Sequence, residues 1–478
     1  MPQASSTAPS RFGLDPPLTP VSRPGTTYDR LEWACAAVLA VGVLMIPALW
    51  NGFPLLQYDT GGYVARWYEG YLVPSRSTTF GLYLTATQTL DFWPAVLTQA
   101  ILTVWVLALT LRALGFSGNP WRLPALVTAL AIATTLPWLT STLLTDVFAG
   151  LAVLALYLLV CRADALNRWE AVGLLLLIAF SVASHSATFA VLLALVAAGF
   201  LFCGSLRQIL SLRGLVGGLA AIALGAGLLL ATNFALSRQL AWTPGGYSIP
   251  FGRILQDGIV ARYLNDHCPQ PQLRLCPYRH KLPATADEFF WSSDIFTDLG
   301  RFTGLGDEMR LIFLRSLAAY PWAHVKTAVR ATLAQIAMVG SGEGVHNKIW
   351  HTYGIIAHYL PATVPAMKAA RQQRGKVGER TFERINKLHK PIALLSLAAT
   401  ILLLGRALWR RDHDALTLLA ATVLLAVLAN AFICGVISGP HDRYGARLAW
   451  LPALVAMAAI LRAWQDRTES ASEQAGTG

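Results

Sequence analysis

The sequence predicts an all-α fold: a polytopic transmembrane helix bundle of about ten helices with a large mixed outer (periplasmic) region. Composition is the first reason. The chain has 478 residues, of which 55% are hydrophobic and 13% are charged, and that charged share is about half of the roughly 25% typical of soluble proteins. The second reason is that the apolar residues form long uncharged runs, and a bilayer-crossing helix needs about 20 such residues. An ordinary cytosolic enzyme is therefore excluded.

Seven uncharged runs lie before residue 238 and three after residue 390. They are Trp33–Trp50, Phe92–Leu111, Leu123–Leu139, Val147–Cys161, Ala171–Ser184, Ser186–Leu206, Gly214–Ser237, Pro391–Gly405, Ala415–Pro440 and Leu448–Leu461. The predicted organisation is a disordered cytoplasmic tail (1–32), a seven-helix membrane half (33–237), an outer region (238–390), a three-helix membrane half (391–463) and a cytoplasmic tail (464–478). The first tail is rich in Pro, Ser and Thr, as disordered segments often are.

Positive charge in short loops predicts the orientation. With the N-terminus inside, the inner loops 112–122, 162–170, 207–213 and 406–414 hold nine arginines in 36 residues, whereas the outer segments 51–91, 140–146, 185 and 441–447 hold four in 56. We therefore predict a multi-pass protein of the inner (plasma) membrane with both termini cytoplasmic. The segment 368–390 carries eight Lys and Arg on the predicted outer side, but long loops escape this rule. A further span in Trp322–Gly340 or Trp350–Met367 would move every later segment to the opposite side of the membrane.

Two of the six cysteines lie in a Pro-rich polar segment of the predicted outer region. Cys268 and Cys276 are separated by Pro-Gln-Pro-Gln-Leu-Arg-Leu. On the oxidising side of a membrane such a pair predicts a disulfide. A metal site is the alternative, since His267 and His280 are near, but two further ligands at suitable spacing are absent from the sequence.

Several function classes lack their motifs. The sequence contains no Walker-type glycine-rich loop, no HExxH and no GxSxG, so ATP-driven transport and zinc or serine hydrolysis have no support. The net charge of +12 does not indicate nucleic-acid binding. The basic segment 368–390 has no aromatic residue besides Phe382, and we interpret it as a solvated face or as an interfacial helix against membrane lipids.

Two isolated carboxylates indicate a site, because ionisable groups near a membrane are costly and usually functional. Asp59 lies nine residues after Trp50, and Asp146 is the only charged residue between Arg122 and Arg162. Each has a simple alternative, since Asp59 can be a solvated loop residue and Asp146 the N-cap of the fourth predicted helix. Two lone carboxylates at the same predicted rim nevertheless predict a shared site.

The segment after the first run contains the ordered residues Asp59, Tyr63, Gly70, Arg76 and Tyr83. This pattern resembles the first loop of GT-C-type glycosyltransferases, integral membrane enzymes that take a sugar from a polyprenyl-phosphate carrier. Thr145-Asp146, followed by an aromatic residue and an apolar helix, resembles that family's second acidic motif. The long outer region before the last helices is also similar. The resemblance rests mainly on the first 160 residues.

The resemblance implies catalytic roles for the two carboxylates. Asp59 would be the general base or would orient the acceptor, and a partly buried cleft would favour a raised pKa suited to a base. Asp146 would orient acceptor or sugar hydroxyls, or help to hold a divalent metal. No cofactor is certain. Two carboxylates without an obvious third ligand favour a reaction without metal, and a divalent metal stays the alternative.

A lipid phosphate requires arginine, whose planar guanidinium binds phosphate oxygens in pairs. Arg443 and Tyr444 resemble an Arg-Tyr pair near the last helices of many GT-C proteins, and they are substrate-binding candidates together with Arg76 and Tyr63. For Arg443 and Tyr444 the alternative is interfacial anchoring, and the neighbouring Asp442 could neutralise the arginine.

Two further segments carry candidate residues. His185, between two serines, is the one ionisable residue between Glu170 and Arg207; it is a candidate partner for phosphate or hydroxyl groups, or else a hydrogen-bonded packing residue. Glu343 and His346 lie in a glycine-rich segment that we interpret as a mobile acceptor or lipid loop, or as a linker.

The predicted function is a membrane glycosyltransferase that moves a hexosyl or pentosyl group, with inversion, from a polyprenyl-phosphate-linked sugar donor to an envelope glycan, lipid or protein acceptor. An enzyme similar to O-antigen ligases or polymerases is the second enzymatic alternative. A lipid or solute transporter (flippase) is the non-enzymatic alternative, but transporters carry charge or helix breaks near mid-membrane, and here the charge collects at one rim.

Overall fold

The computed structural model describes residues 27–70, 75–204, 206, 209–243 and 246–476. It is 77% helical, and these residues contain no β-strand. Leu55 and Thr142 form an isolated parallel bridge. The prediction of an all-α chain is confirmed for this part of the protein.

The helices follow one another with short connections in most of the chain. In order they are α1 Thr27–Asn51, α2 Tyr58–Glu69, α3 Thr78–Thr85, α4 Trp93–Ala113, α5 Arg122–Ala133, α6 Leu136–Ser141, α7 Asp146–Cys161, α8 Arg168–Ser184, α9 Ser186–Cys203, α10 Leu212–Ser237, α11 Ser248–Gln256, α12 Ile259–His267, α13 Ala286–Trp291, α14 Asp294–Asp298, α15 Arg301–Ala319, α16 Pro321–Ala337, α17 Trp350–Tyr359, α18 Val364–Ala369, α19 Glu379–Arg410, α20 Ala415–Ile437 and α21 Asp442–Gly476. Short 3-10 turns lie at Gln88–Leu90, Ala163–Ala165, Cys276–Tyr278 and Pro361–Thr363.

Seven helices of the described chain are long and apolar enough to cross a membrane, and they indicate a multi-pass membrane protein. They are Arg30–Asn51 of α1, α4, α9, α10, α19, α20 and Asp442–Thr468 of α21. The other three predicted runs form shorter helices. Leu123–Leu139 is divided between α5 and α6, with Pro137 in the first turn of the second piece. Helices α7 and α8 have 16 and 17 residues.

Helix α7 lies at the centre of the bundle. Every residue from Asp146 to Val160 is buried, as expected for a helix that is apolar on all faces. Helix α21 packs closely on α7: a Cβ added at Gly150 would lie only 2.6 Å from the Cζ2 of Trp450. The first turns of α7 and α21 therefore lie at the same end of the bundle, which we call the site end.

The segment from α11 to α15 has its own hydrophobic core, which includes Phe251, Tyr263 and Phe289. Cys268 and Cys276 form a disulfide within it, and this prediction is confirmed. Among the described residues, neither α16, with 17 residues, nor α17, with 10, is among the helices that could span a membrane.

Some predicted boundaries fall inside helices. Helix α19 starts at Glu379 and continues through Pro391, so the basic segment before residue 391 belongs in part to a spanning helix. An interior proline removes one backbone hydrogen bond and crowds the preceding turn, but the helix continues through this position. Helix α21 extends to Gly476, so most of the predicted C-terminal tail is helical. Helix α1 includes residues 27–32 of the predicted N-terminal tail, and residues 1–26 lie outside the described residues.

Candidate functional site

Asp59 is held by helix α2, which begins shortly after α1. The side chain of Gln57 caps this helix by accepting a hydrogen bond of 2.7 Å from the Asp59 N–H. Helix α17 packs against it so closely that a Cβ at Gly61 would lie 2.7 Å from the Cα of Thr352. The Thr352 hydroxyl donates to the Gln57 carbonyl at 3.0 Å, across 295 positions of the chain. Helix α17 therefore fixes the turn that carries Asp59.

The Asp59 carboxylate is paired with two arginines. One oxygen accepts a hydrogen bond from Arg76, and the other accepts one from Nη1 of Arg443 at 2.5 Å. Only 13% of the Asp59 side chain is exposed. The two arginines that the sequence predicts as phosphate ligands thus both contact the predicted base.

The second carboxylate, Asp146, binds the same guanidinium. Nε of Arg443 donates to its Oδ2 at 2.7 Å. Asp146 is the first residue of α7 and does not act as the N-cap; Thr145 takes that position without a capping hydrogen bond. The Oδ1 of Asp146 is buried and accepts no hydrogen bond within the part of the chain that the structure describes. It can accept one from a ligand hydroxyl.

Arg443 is itself positioned by a neighbouring acidic group. Glu343 accepts a hydrogen bond from the Arg443 backbone N–H at 2.7 Å, and its other oxygen lies 2.8 Å from Nδ1 of His441. The glycine-rich segment around Glu343 is therefore packed against the start of α21. The hydrogen bond to Glu343 raises the pKa of His441, and the pKa of Glu343 is lowered because His441 and Arg443 outweigh the effect of burial.

His185 connects α8 to α9 and lies near the same charges. Its Nδ1 is 3.2 Å from Nη1 of Arg447, an arginine that is fully buried and also donates to Asn430 at 2.8 and 2.5 Å. Burial, with Arg447 as the next cause, lowers the pKa of His185 to about 3. A neutral His185 that accepts from Arg447 at Nδ1 carries its proton on Nε2, and this N–H is a donor.

The tyrosines of the predicted site have different positions. Tyr63 is 1% exposed, and its ring centroid is 5.9 Å from the guanidinium carbon of Arg76. The ring of Tyr444 meets that of His441 edge-on at 5.5 Å. Tyr83, in contrast, packs among aromatic rings and donates its hydroxyl proton to the Ala95 carbonyl at 2.6 Å. The structure thus gives Tyr83 a packing role, and its hydroxyl bonds to the backbone instead of a carboxylate.

The raised pKa expected for Asp59 is wrong, because its pKa is lowered. Burial raises the pKa of Asp59, as the sequence suggests, but Arg76 and Arg443 together lower it below its ordinary value. Two cations at hydrogen-bonding distance stabilise the ionised form more than burial destabilises it. Asp59 is therefore held as a carboxylate in this state of the protein.

The carboxylates do not form an evident metal centre. In the described ranges no three His, Cys, Asp or Glu side chains are grouped to hold a metal ion. Asp59 and Asp146 supply two carboxylates, and Arg443 bridges them. Magnesium is usually held by one or two carboxylates together with waters and substrate phosphates, and Asp59 and Asp146 would be free for such a role only when Arg443 does not bridge them.

Six of the seven predicted site residues lie in one connected group around Arg443: Asp59, Arg76, Tyr63, Asp146, Arg443 itself and Tyr444, the residue after it. His185 joins them through Arg447. Arg447 and His441 are not among the residues that the sequence predicts for the site, and the sequence predicts Glu343 only as part of a loop. The position of Arg447, directly before the apolar run that begins at Leu448, is the signal that could have identified it.

Comparisons with family models, with curated protein sequences and with solved structures give no match to this chain. The resemblance to GT-C-type enzymes therefore rests on the two acidic motifs around Asp59 and Asp146, with the Arg443-Tyr444 pair.

Proposed function

We propose that the protein is a membrane glycosyltransferase that transfers a sugar from a polyprenyl-phosphate carrier to an envelope glycan, lipid or protein acceptor. The supporting observation is that Arg443 joins Asp59, at 2.5 Å, and Asp146, at 2.7 Å. Glycosyl transfer from a lipid phosphate needs a cation for the leaving phosphate and a carboxylate for the acceptor, and these groups lie side by side here. The proposed location is the plasma membrane, with the site end facing outward.

In the proposed reaction the acceptor oxygen attacks the anomeric carbon of the donor sugar. The bond from that carbon to the phosphate oxygen breaks, and its electron pair leaves with the lipid phosphate. Arg443 and Arg76 would hold the departing phosphate, because a guanidinium binds its oxygens bidentately. Asp59 would take the acceptor proton, and Asp146 would orient a hydroxyl through its unpaired Oδ1. Direct attack inverts the anomeric configuration.

The ion pairs of Asp59 suggest how the base becomes active. A carboxylate that is held by two arginines is a weak base, since its pKa is lowered. A donor phosphate would compete for the guanidinium groups of Arg76 and Arg443. Release of Asp59 from either arginine would raise its proton affinity in a buried site. On this proposal the base gains strength only when the donor is bound.

Mass spectrometry of envelope glycans and glycolipids tests the proposal. A deletion strain is complemented with the wild-type gene, with Asp59→Asn, or with Asp307→Asn as a matched control, because Asp307 is exposed and lies on α15. We expect the deletion to lose one defined sugar, and we expect wild type and Asp307→Asn to restore it. Asp59→Asn should accumulate in the membrane without restoring it.

Two results would argue against a transferase. Full rescue by Asp59→Asn would remove the assigned base. A whole glycan missing from the surface, with its precursor retained inside and equal rescue by all three genes, would indicate transport.

A further inference from the structure

A second charged region lies between α12 and α16. A cavity of about 280 Å³ is lined by residues that include Arg262, Lys326 and Arg330, and also Asp257. It is many times larger than the roughly 30 Å³ of a water molecule. It is slightly below the ~300 Å³ at which pockets for drug-sized ligands begin. Its size therefore suits a small polar group.

The cavity carries excess positive charge. Asp257 is paired with Arg253 at 2.7 Å, and Asp266 lies 4.0 Å from Arg262. Lys326 and Arg330 are exposed and form no ion pair or hydrogen bond with other described residues, although Arg330 is close enough to interact electrostatically with Asp257. At and beside the cavity, cations outnumber carboxylates by two, and Lys326 and Arg330 lie one helical turn apart on α16. Such a pair attracts an anion.

The same helix exposes an apolar stripe beside these cations. It consists of Trp322, Val325, Val329 and Leu333, whose side chains are 77%, 49%, 55% and 64% exposed. The spacing of three and four residues puts them on one face of α16.

The far end of α16 reaches the membrane bundle. A Cβ at Gly435 of the spanning helix α20 would lie 2.8 Å from the carbonyl oxygen of Ala331. Helix α20 exposes Leu428 and Phe432, each at 52%. The apolar stripe therefore belongs to a helix that adjoins a lipid-facing helix, and a soluble anion would leave this stripe uncovered.

We propose that this cavity binds the anionic headgroup of a phospholipid from the surrounding bilayer. Arg262, Lys326 and Arg330 bind the phosphate, and the acyl chains lie along the stripe of α16. The combination of a cation cluster with an adjoining apolar face matches an amphiphile with a charged head. This inference does not depend on the proposed glycosyl transfer.

Lipid retention after reconstitution tests it. Purified full-length protein is placed in nanodiscs of phosphatidylcholine with phosphatidylglycerol and re-extracted, and the bound lipid is measured by native mass spectrometry. Wild type should retain phosphatidylglycerol in preference to phosphatidylcholine. In the double variant Lys326→Gln, Arg330→Gln, the ratio of bound phosphatidylglycerol to phosphatidylcholine should fall by about tenfold or more. Each near-surface cation increases the affinity for an anionic lipid by about fivefold. The matched control Arg315→Gln, Lys348→Gln removes two exposed cations elsewhere and should behave as wild type.

Two further experiments distinguish a bound lipid from a bound soluble anion. Val325→Asn with Val329→Asn keeps both cations and should also lower phosphatidylglycerol retention, because the acyl chains lose their contact. Millimolar glycerol phosphate should not displace the lipid, since it has no acyl chains. Unchanged retention in the Lys326, Arg330 double variant would overturn the proposal. Complete displacement by glycerol phosphate would reassign the cavity to a soluble phosphate.

Discussion

Nε of Arg443 donates a hydrogen bond of 2.7 Å to Oδ2 of Asp146, across 297 positions of the chain. This contact ties the first turn of α21 to the first turn of α7. Both side chains are nearly buried, at 12% and 3% exposure, so the charges have little access to water. A buried ion pair is costly to break, because removing one partner leaves the other charge unpaired. The pair therefore fixes the geometry of the site as well as its charge.

Arg443→Lys tests the bridging role of the guanidinium. Lysine keeps the positive charge but carries its donors on one compact ammonium group. It therefore cannot hold both Asp59 and Asp146 as the planar guanidinium of arginine does. We expect the free energy of unfolding to fall by roughly 2 kcal/mol, the value of one hydrogen bond to a charged group. Sugar transfer should fall by about 100-fold or more. Thermal unfolding in detergent and the envelope glycan assay measure the two effects.

The control for this variant is Arg410→Lys, because Arg410 is exposed at the end of α19. It should leave both unfolding and transfer unchanged. Wild-type stability and transfer in Arg443→Lys would contradict the bridging role.

Gly61→Ala tests the docking of α17 on α2. A Cβ at this position would lie 2.7 Å from the backbone Cα of Thr352, and backbone cannot move aside as a side-chain tip can. We expect a loss of about 1–3 kcal/mol in unfolding free energy and reduced transfer, because α2 carries Asp59. Gly354→Ala on α17 is the matched control, since its Cβ would meet nothing within 4 Å. It should be neutral or stabilise by about 0.5–1 kcal/mol. Equal stability of the two variants would contradict close docking.

Much of the candidate site was predictable, in part because charge is scarce in the membrane half of this sequence. Asp146 is the only charged residue between Arg122 and Arg162, whereas Arg76 and Arg443 are candidates through the resemblance, and the structure brings these residues together with Asp59. The sequence could not indicate which carboxylate meets which arginine, since that depends on how distant helices pack. For the same reason the direction of the Asp59 pKa was wrong: burial can be inferred from the sequence, but two arginine partners cannot.

The fold was predictable at the level of apolar runs and less so in detail. Hydropathy identifies α4 or α20 as single helices. It does not reveal the break between α5 and α6, because both pieces are apolar and Pro137 begins the second. Nor does it reveal that α19 starts before Pro391. There the polar residues from Glu379 onward continue the helix of the apolar run.

The contact between His441 and Glu343 predicts a dependence of stability on pH. The pKa of His441 is raised above 6.5, so its contribution is complete below pH 6.5 and is lost as pH rises through the raised value. The pKa of Glu343 is lowered below 4.5, so its contribution is complete above pH 4.5 and is lost as pH falls through the lowered value. Both charges are present from pH 4.5 to 6.5.

The measurement is thermal unfolding of wild type and His441→Gln across pH. The stability advantage of wild type should be largest between pH 4.5 and 6.5 and should shrink toward pH 9. Because 42% of the His441 side chain is exposed, solvent screens the pair and the effect should be modest. An advantage that is independent of pH would contradict a charged contact.

The disulfide gives a test of both oxidation and orientation. In a background with Cys35, Cys161, Cys203 and Cys434 changed to Ala, the only cysteines left are Cys268 and Cys276. A membrane-impermeant maleimide added to intact cells should not label this protein. After mild reduction it should label both cysteines, because we predict that this segment faces outward. The measured quantity is the mass added per protein molecule.

A control for sidedness uses the loop between α7 and α8, which is predicted to be cytoplasmic. Asp164→Cys, with Cys268 and Cys276 also changed to Ala, presents one thiol at a position where 65% of the side chain is exposed. It should react only after the cells are permeabilised. Labelling of Cys268 and Cys276 without reductant would argue against the disulfide. Labelling of that pair only after permeabilisation and reduction would place the segment inside the cell, and the site end could then not face the envelope.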